Sequence, residues 1–76
     1  MAGMSERNLA PQTRRVLEAL DGTFAPPGII AERAGLPARS RIEEAARLCG
    51  YLVKLGLAER QEGRWRRWRR ARPETT

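Results

Sequence analysis

Residues 26–37 read PPGIIAERAGLP and contain the start of one helix, its end and the start of the next. The two prolines pre-set the backbone for the first turn of a helix, which is predicted to end near Ala34. Gly35 relaxes the chain after that helix, Leu36 supplies an apolar plug for the core, and Pro37 lies where a new helix can begin. The segment therefore predicts two helices joined by a tight turn. Side chains of the first helix predicted to face inward are Ile29, Ile30 and Ala34.

The longest periodic segment follows this turn and is predicted to be a helix from about residue 38 to Leu55. At 100° per residue it has an apolar side and a polar side. The apolar side holds Ile42, Ala45, Cys49, Leu52 and Val53, and the polar side holds Ser40, Glu43, Arg47, Tyr51 and Lys54. Gly50 within this helix either lowers its stability by about 1 kcal/mol relative to alanine or marks a close approach by another backbone. Gly56 is predicted to end the helix.

A further helix is predicted before this pair, with Asn8 as its N-cap and Pro11 in its first turn. It continues to about Leu20, where Asp21-Gly22 ends it. Its inward positions at helical spacing are Leu9, Thr13, Val16, Leu17 and Leu20. Residues 23–25 are long enough only for a bridging strand.

After Gly56, residues 57–61 and 64–70 are predicted to be two strands joined by a tight turn at Glu62-Gly63, where glycine supplies a positive φ. Trp65 and Trp68 are three positions apart, so a regular strand would point them to opposite faces. The predicted fold is mostly α with a small β-hairpin. It forms a single domain over residues 8–72, with flexible ends at 1–7 and 73–76.

Composition excludes several classes of protein. The chain has 76 residues, no histidine and one cysteine, Cys49. A His/Cys zinc cluster and the usual general base of enzymes are therefore missing, and neither an enzyme nor a cofactor-binding protein is expected. Residues 1–8 contain no apolar run like that of a signal peptide, and no stretch approaches the ~20 apolar residues of a membrane span. A cytoplasmic location and no membrane contact are expected.

The net charge of +6 is concentrated near the end of the chain. Residues 60–72 hold seven arginines and one glutamate, so their net charge is 7 − 1 = +6. Two tryptophans lie among these charges. A concentrated cationic strip with interleaved aromatic residues indicates binding to a polyanion such as nucleic acid.

The order helix, helix, Gly-Leu-Pro turn, long helix, Gly-Leu, strand, turn, strand resembles the winged helix-turn-helix family of bacterial repressors. The residues that carry the resemblance are 30–36 (IAERAGL), 52–60 (LVKLGLAER) and 62–64 (EGR). The resemblance implies a three-helix winged helix-turn-helix fold and binding to double-stranded DNA. It also implies that Trp68 packs on the core, which leaves Trp65 exposed near the tip of the wing. The third helix is about one turn longer than the family usually has.

The resemblance further implies which side chains meet DNA. The candidates for contact with base edges in the major groove are Arg39, Ser40, Glu43 and Arg47. The candidates for contact with the DNA backbone or minor groove are Arg60, Arg64, Trp65, Arg66, Arg67, Arg69 and Arg70. Glu43 either accepts hydrogen bonds from cytosine amino groups or forms an ordinary i,i+4 ion pair with Arg47, and the ion pair is favoured.

Three functions are compatible with these residues. The leading hypothesis is a sequence-specific DNA-binding protein acting as a small transcriptional regulator. A second is a winged-helix module that docks a protein such as RNA polymerase, because Glu43 and Glu44 would repel phosphates. A third is RNA binding through the Arg/Trp-rich C-terminal segment. Leu48 and Leu55 widen the apolar arc of the third helix and are expected to contact the first helix or a second copy in a homodimer.

Overall fold

The computed structural model describes residues 9–37 and 39–71. Three helices are followed by a two-stranded antiparallel hairpin, which confirms the mostly α fold with a small β-hairpin. The helices are α1 (Pro11–Ala19), α2 (Pro27–Ala34) and α3 (Arg41–Lys54), and the strands are β1 (Ala58–Arg60) and β2 (Trp68–Arg70). The predicted flexible ends at 1–7 and 73–76 and Arg72 lie outside the described residues. The prediction of Asn8 as N-cap was wrong, because α1 begins at Pro11 and its N-cap is Ala10.

The core forms where the three helices pack against one another. Its largest fully buried side chains are Val16, Leu17, Ile30, Cys49 and Leu52. Burial of each aliphatic side chain of this size contributes about 1.5–3 kcal/mol. All the inward positions predicted for α1 are buried, namely Leu9, Thr13, Val16, Leu17 and Leu20. Helical spacing thus identifies the packed face of α1 correctly.

The segment between α1 and α2 forms an isolated β-bridge with the hairpin, as predicted for residues 23–25. The amide of Ala25 donates to the carbonyl of Trp68 at 2.8 Å, and the amide of Trp68 donates to the carbonyl of Ala25 at 2.9 Å. β1 pairs with the other edge of β2, in the register Ala58 to Arg70 and Arg60 to Trp68. β2 therefore lies between β1 and Ala25, and Trp68 is buried.

The turn between α2 and α3 also follows the prediction. Gly35 has a left-handed backbone, with φ 70° and ψ 32°, and its amide donates to the carbonyl of Glu32 at 3.2 Å. Glycine suits this position because it has no Cβ to oppose a positive φ. The amide of Leu36 donates to the carbonyl of Ala31 at 3.1 Å, and the Leu36 side chain is buried. The turn thus caps α2 and adds a residue to the core.

The predicted start of α3 at residue 38 was wrong. Ser40 has a left-handed backbone, with φ 58° and ψ 20°, and the helix begins only at Arg41. Residue 38 itself lies outside the described residues. A left-handed residue cannot continue a right-handed helix, so Arg39 and Ser40 precede α3 instead of lying on it.

Two isoleucines predicted to face inward, Ile29 and Ile42, are instead 40% and 47% exposed. The buried residues of α2 are at positions 27, 30, 31 and 34, which places Ile29 on the other side of that helix. Ile42 lies in the first turn of α3 opposite Gly28, where an added Cβ would be 3.9 Å from the Ile42 side chain. Because Gly28 has no side chain, α2 covers Ile42 only in part.

Gly50 lies within α3 and faces open space, since no atom would come within 4 Å of an added Cβ. The close approach of another backbone, one of the two predicted explanations, is therefore ruled out for the described residues. We expect Gly50→Ala to raise the free energy of unfolding by about 0.5–1 kcal/mol, because alanine reduces the backbone entropy of the unfolded chain. Urea denaturation followed by circular dichroism measures this change.

Gly35→Ala is the matched control for this substitution. It adds the same methyl group, also in open space, but at φ 70°. We expect it to destabilise the protein, because an alanine is strained in the left-handed region. Equal effects of the two substitutions would contradict the assignment of Gly50 to a regular helix.

The hairpin differs from its prediction at the tip. The strands cover only Ala58–Arg60 and Trp68–Arg70, so the tight turn predicted at Glu62-Gly63 is replaced by a loop over residues 61–67. The amide of Gln61 donates to the carbonyl of Arg67 at 2.8 Å and closes this loop at its base. Toward the tip of the hairpin, strand pairing stops at the pair of Arg60 and the buried Trp68. Beyond this pair the ribbon has no core to pack on, and such a ribbon is only marginally stable.

Candidate nucleic-acid interface

The side of α3 that faces away from the core is polar and exposed, as predicted. We call it the outer face of α3; its residues are Glu43, Arg47, Tyr51 and Lys54. The opposite side is anchored by the buried residues Ala45, Leu48, Cys49 and Leu52. α2 packs against α3 and so supports it from behind. The outer face is therefore held on a rigid helix and is open to a ligand.

Arg47 forms an ion pair on this helix, but with a different residue from the one predicted. Its Nη2 lies 2.5 Å from Oε2 of Glu44 and its Nε lies 3.2 Å from Oε1, in an i,i+3 pair. The predicted partner was Glu43. The hydrogen bonds lower the pKa of the Glu44 carboxyl and raise the pKa of the Arg47 guanidinium. The pair lies at the surface, where such ion pairs contribute little to stability.

Arg39 and Ser40 lie in the turn immediately before α3, where both are exposed. The carbonyl of Ser40 accepts a hydrogen bond from the amide of Glu44 at 2.9 Å, which begins the hydrogen-bonding pattern of the helix. Of the four candidates for contact with bases, the structure thus places Glu43 and Arg47 on the outer face of α3. It places the other two at the N-terminal end of the helix.

The loop over residues 61–67, which we call the hairpin loop, and the strand end before it carry a cluster of exposed positive charge. Arg64, Trp65, Arg66 and Arg67 are exposed, and so is Arg60 at the end of β1. Four arginines and Glu62 give residues 60–67 a net charge of 4 − 1 = +3. The guanidinium carbon of Arg64 lies 5.9 Å from the centre of the Trp65 ring. The loop thus exposes cations and one aromatic ring together.

The guanidinium of Arg69 already has two partners within the chain. Its Nε lies 2.7 Å from Oε1 of Glu59, the residue directly across the hairpin. Its guanidinium also lies over the ring of Phe24, 4.5 Å from the ring centre. An arginine engaged on both sides stabilises the hairpin and is less available for phosphate. Sequence spacing predicts neither contact, because the contact with Glu59 depends on the register of the hairpin and Phe24 is distant in the chain.

Arg70 and Trp68 occupy the inner side of the hairpin. Arg70 is half-buried, and its amide donates to the carbonyl of Asp21 at 2.7 Å. Trp68 is only 4% exposed, whereas Trp65 is 65% exposed. The opposite placement of the two tryptophans is as predicted, with Trp68 in the core and Trp65 in the loop.

The hairpin is fixed to the end of α3 by a short connection. Gly56 has a φ of 80° and ends the helix as predicted, and the amide of Leu57 donates to the carbonyl of Leu52 at 2.9 Å. The amide of Ala71 donates to the carbonyl of Leu57 at 3.0 Å, and β1 packs against α3. The outer face of α3 and the hairpin loop therefore belong to one packed unit.

Cys49 is a free, buried cysteine. Burial raises the pKa of the Cys49 thiol to about 12, so at neutral pH it is an uncharged core side chain. The described residues contain no group of three or more His, Cys, Asp or Glu that could hold a metal ion. Leu48 is buried within the chain and Leu55 packs against the core. None of the helices in residues 9–37 and 39–71 is both long and apolar enough to span a membrane.

No protein-family model, curated protein or solved structure matches this chain. The exposed charges of α3 and of the hairpin loop are therefore the grounds for a functional assignment.

Proposed function

We propose that this protein binds double-stranded DNA, with the outer face of α3 in the major groove and the hairpin loop on phosphates or in the minor groove. The observation that carries the proposal is the net charge of +3 on exposed side chains of residues 60–67. Cations that neutralise DNA phosphates release condensed counterions, and this release supplies much of the affinity of DNA-binding proteins. A rigid helix in the same packed unit as such a loop supports binding to a duplex.

The geometry of α3 supports contact with a groove. The major groove of B-DNA is about 12 Å wide and admits one α-helix. α3 is held by α2 on its inner side and carries Arg47, Tyr51 and Lys54 on its outer face. Arg39 and Ser40 lie at its N-terminal end, where recognition helices contact base edges. Arg47 would leave Glu44 and pair with guanine or phosphate.

Membership of the winged helix-turn-helix family is part of this proposal. It is supported by the order of helices and strands, by the Gly35-Leu36 turn, and by the buried Trp68 beneath the hairpin. We assign the chain the role of a small sequence-specific transcriptional regulator in the cytoplasm, without catalytic activity or cofactor. Selection of bound fragments from genomic DNA tests the sequence specificity, and a two-fold-symmetric consensus would show that it binds as a homodimer.

A salt titration tests the electrostatic part of the proposal. If about five phosphates are neutralised, the logarithm of the association constant should fall against the logarithm of salt concentration with a slope of about −4.5. Fluorescence anisotropy of a labelled duplex of random sequence measures this slope. An affinity that does not change between low and high salt would contradict duplex binding through these arginines.

Docking to another protein, such as RNA polymerase, is the second candidate. It is favoured by Ile29 and Ile42, which are 40% and 47% exposed at the starts of α2 and α3. The carboxylate of Glu43 on the outer face would also repel phosphates. Electrophoretic mobility shifts with random and genomic duplexes distinguish DNA binding from protein docking, because a protein that only docks to another protein should retard neither kind of duplex.

A further inference from the structure

Trp65 is more exposed than any other large hydrophobic residue in the described part of the chain. Its side chain is 65% exposed, whereas Ile42, Tyr51 and Ile29 are between 40% and 47% exposed. An indole ring in water at the end of a loop contributes little to folding, and tryptophan is enriched where proteins bind their partners. The placement of Trp65 therefore indicates a contact with a ligand.

The fold keeps this ring out of the core. Trp68 already occupies the core position beneath the hairpin, and both its backbone amide and its carbonyl form hydrogen bonds with Ala25. The hydrogen bond from Gln61 to Arg67 closes the hairpin loop just before β2, so Trp65 lies on the far side of this closure. The guanidinium of Arg64 contacts one side of its ring by a cation–π interaction. The ring is thus presented at the surface together with its neighbouring charges.

We propose that Trp65 stacks on a nucleobase, entering a base step of the duplex from the minor groove as a wedge. This inference rests on the proposed binding to DNA and names the feature of the duplex that the hairpin loop recognises. Apolar side chains inserted between base pairs are a known means of bending DNA, and an aromatic ring stacks on the face of any base. Arg64, Arg66 and Arg67 are close to Trp65 in the chain and would neutralise the phosphates on either side of the inserted ring.

The composition of the loop favours a nucleobase over a lipid surface. Trp65 is the only apolar side chain in residues 60–67, which otherwise hold four arginines, one glutamine, one glutamate and one glycine. Stable attachment to a bilayer needs a larger buried apolar face. Stacking on a base needs only one ring and adjacent cations.

Stacking of Trp65 should give a preference for duplexes that are easily unstacked. Insertion costs the stacking energy of one base step, and that cost is lower at pyrimidine–purine steps and at mismatched pairs. The native protein should therefore bind a duplex with a single mismatch more tightly than the same duplex fully paired. A protein that contacts phosphates alone should show no such preference.

The test measures the dissociation constants of the native protein, Trp65→Ala and Trp65→Phe for these two duplexes. We expect Trp65→Ala to weaken binding to the mismatched duplex by about 5- to 150-fold and to lose the preference, and Trp65→Phe to keep part of both. Ile29→Ala, which removes another exposed apolar side chain from outside the hairpin loop, should leave both constants unchanged. Circular dichroism checks that the variants are folded.

Tryptophan fluorescence supplies a second measurement, because the chain has one exposed and one buried tryptophan. Stacking should quench Trp65 on addition of DNA. The Trp65→Phe variant, which retains only Trp68, should change little. Emission that stays accessible to acrylamide in the complex would overturn the inference.

The remaining outcomes separate this inference from the proposed function. If Trp65→Ala binds both duplexes like the native protein, the inference fails while the binding to DNA stands. If the native protein binds neither duplex, the proposed function fails. A blue shift of Trp65 on vesicles of phosphatidylserine, without any quenching by DNA, would overturn the inference in favour of a membrane contact.

Discussion

The triple variant Arg64→Ala, Arg66→Ala and Arg67→Ala is expected to bind duplex DNA about 150-fold more weakly than the native protein at about 0.15 M salt. The three side chains are exposed in the hairpin loop, so their loss removes cations without removing core contacts. Three fewer neutralised phosphates correspond to a salt slope that is shallower by about 2.7. Anisotropy titrations at several salt concentrations measure both quantities, and urea denaturation should show unchanged stability.

A matched control removes the same charge from another part of the surface. Arg14, Arg15 and Arg33 are exposed on α1 and α2, and Arg15 and Arg33 border a shallow cavity of about 130 Å³ between these helices. Replacing these three with alanine should weaken binding less than about tenfold, because salt screens charges that do not touch the DNA. Equal losses from the two triple variants would show that only the total charge matters, and would contradict a defined interface.

Trp68→Ala is expected to remove a large part of the stability of the protein and to loosen the hairpin, which weakens duplex binding. Truncation of a buried tryptophan costs about 3–5 kcal/mol. A chain of this length has about 4–11 kcal/mol of stability in total. Trp68 is 4% exposed and packs beneath the hairpin, where its backbone pairs with both Ala25 and Arg60. Denaturation in urea measures the loss of stability.

The same variant separates binding by the folded domain from binding by an unfolded basic peptide. Trp68→Ala keeps every arginine, so RNA or DNA binding by the Arg/Trp-rich segment alone would survive it. Binding by the folded domain would weaken to the extent that the variant unfolds. The control is Trp68→Phe, which keeps an aromatic ring and removes an indole N–H that has no hydrogen-bond partner in the described structure. It should lose much less stability and retain binding, and a Trp68→Ala variant that is unfolded without urea and still binds DNA normally would contradict the account.

The helices and their turn could be predicted from the sequence because their signals are local. Pro27 begins α2, Gly35 and Gly56 end α2 and α3 in left-handed conformations, and periodic apolar residues identify the buried faces. The exposure of Ile42 could not be predicted, because it depends on Gly28 across a contact between two helices. The late start of α3 depends on the left-handed backbone of Ser40, a conformation that serine adopts infrequently.

The candidate interface was predicted only in part, because some of its features depend on tertiary packing and not on local sequence. The concentration of arginine follows from composition. The exposure of Trp65 was expected from the resemblance, but Trp65 lies in the loop and not on the predicted strand. The pairing of Arg69 with Glu59 and Phe24 depends on tertiary packing. Arg47 could pair with either Glu43 or Glu44 at helical spacing, and the choice depends on side-chain rotamers. The loop at 61–67 replaces a tight turn because strand pairing stops where packing on the core stops.

The most direct test of the account is a map of amide chemical shifts in the folded protein on addition of a short DNA duplex. We predict that the shifts concentrate in residues 60–67 and on the outer face of α3, at Glu43, Arg47, Tyr51 and Lys54. The helix surface around Arg15 and Arg33 should remain unchanged. Shifts confined to the hairpin loop, or centred on Ile29 and Ile42, would contradict the claim that α3 and the hairpin loop engage one duplex together.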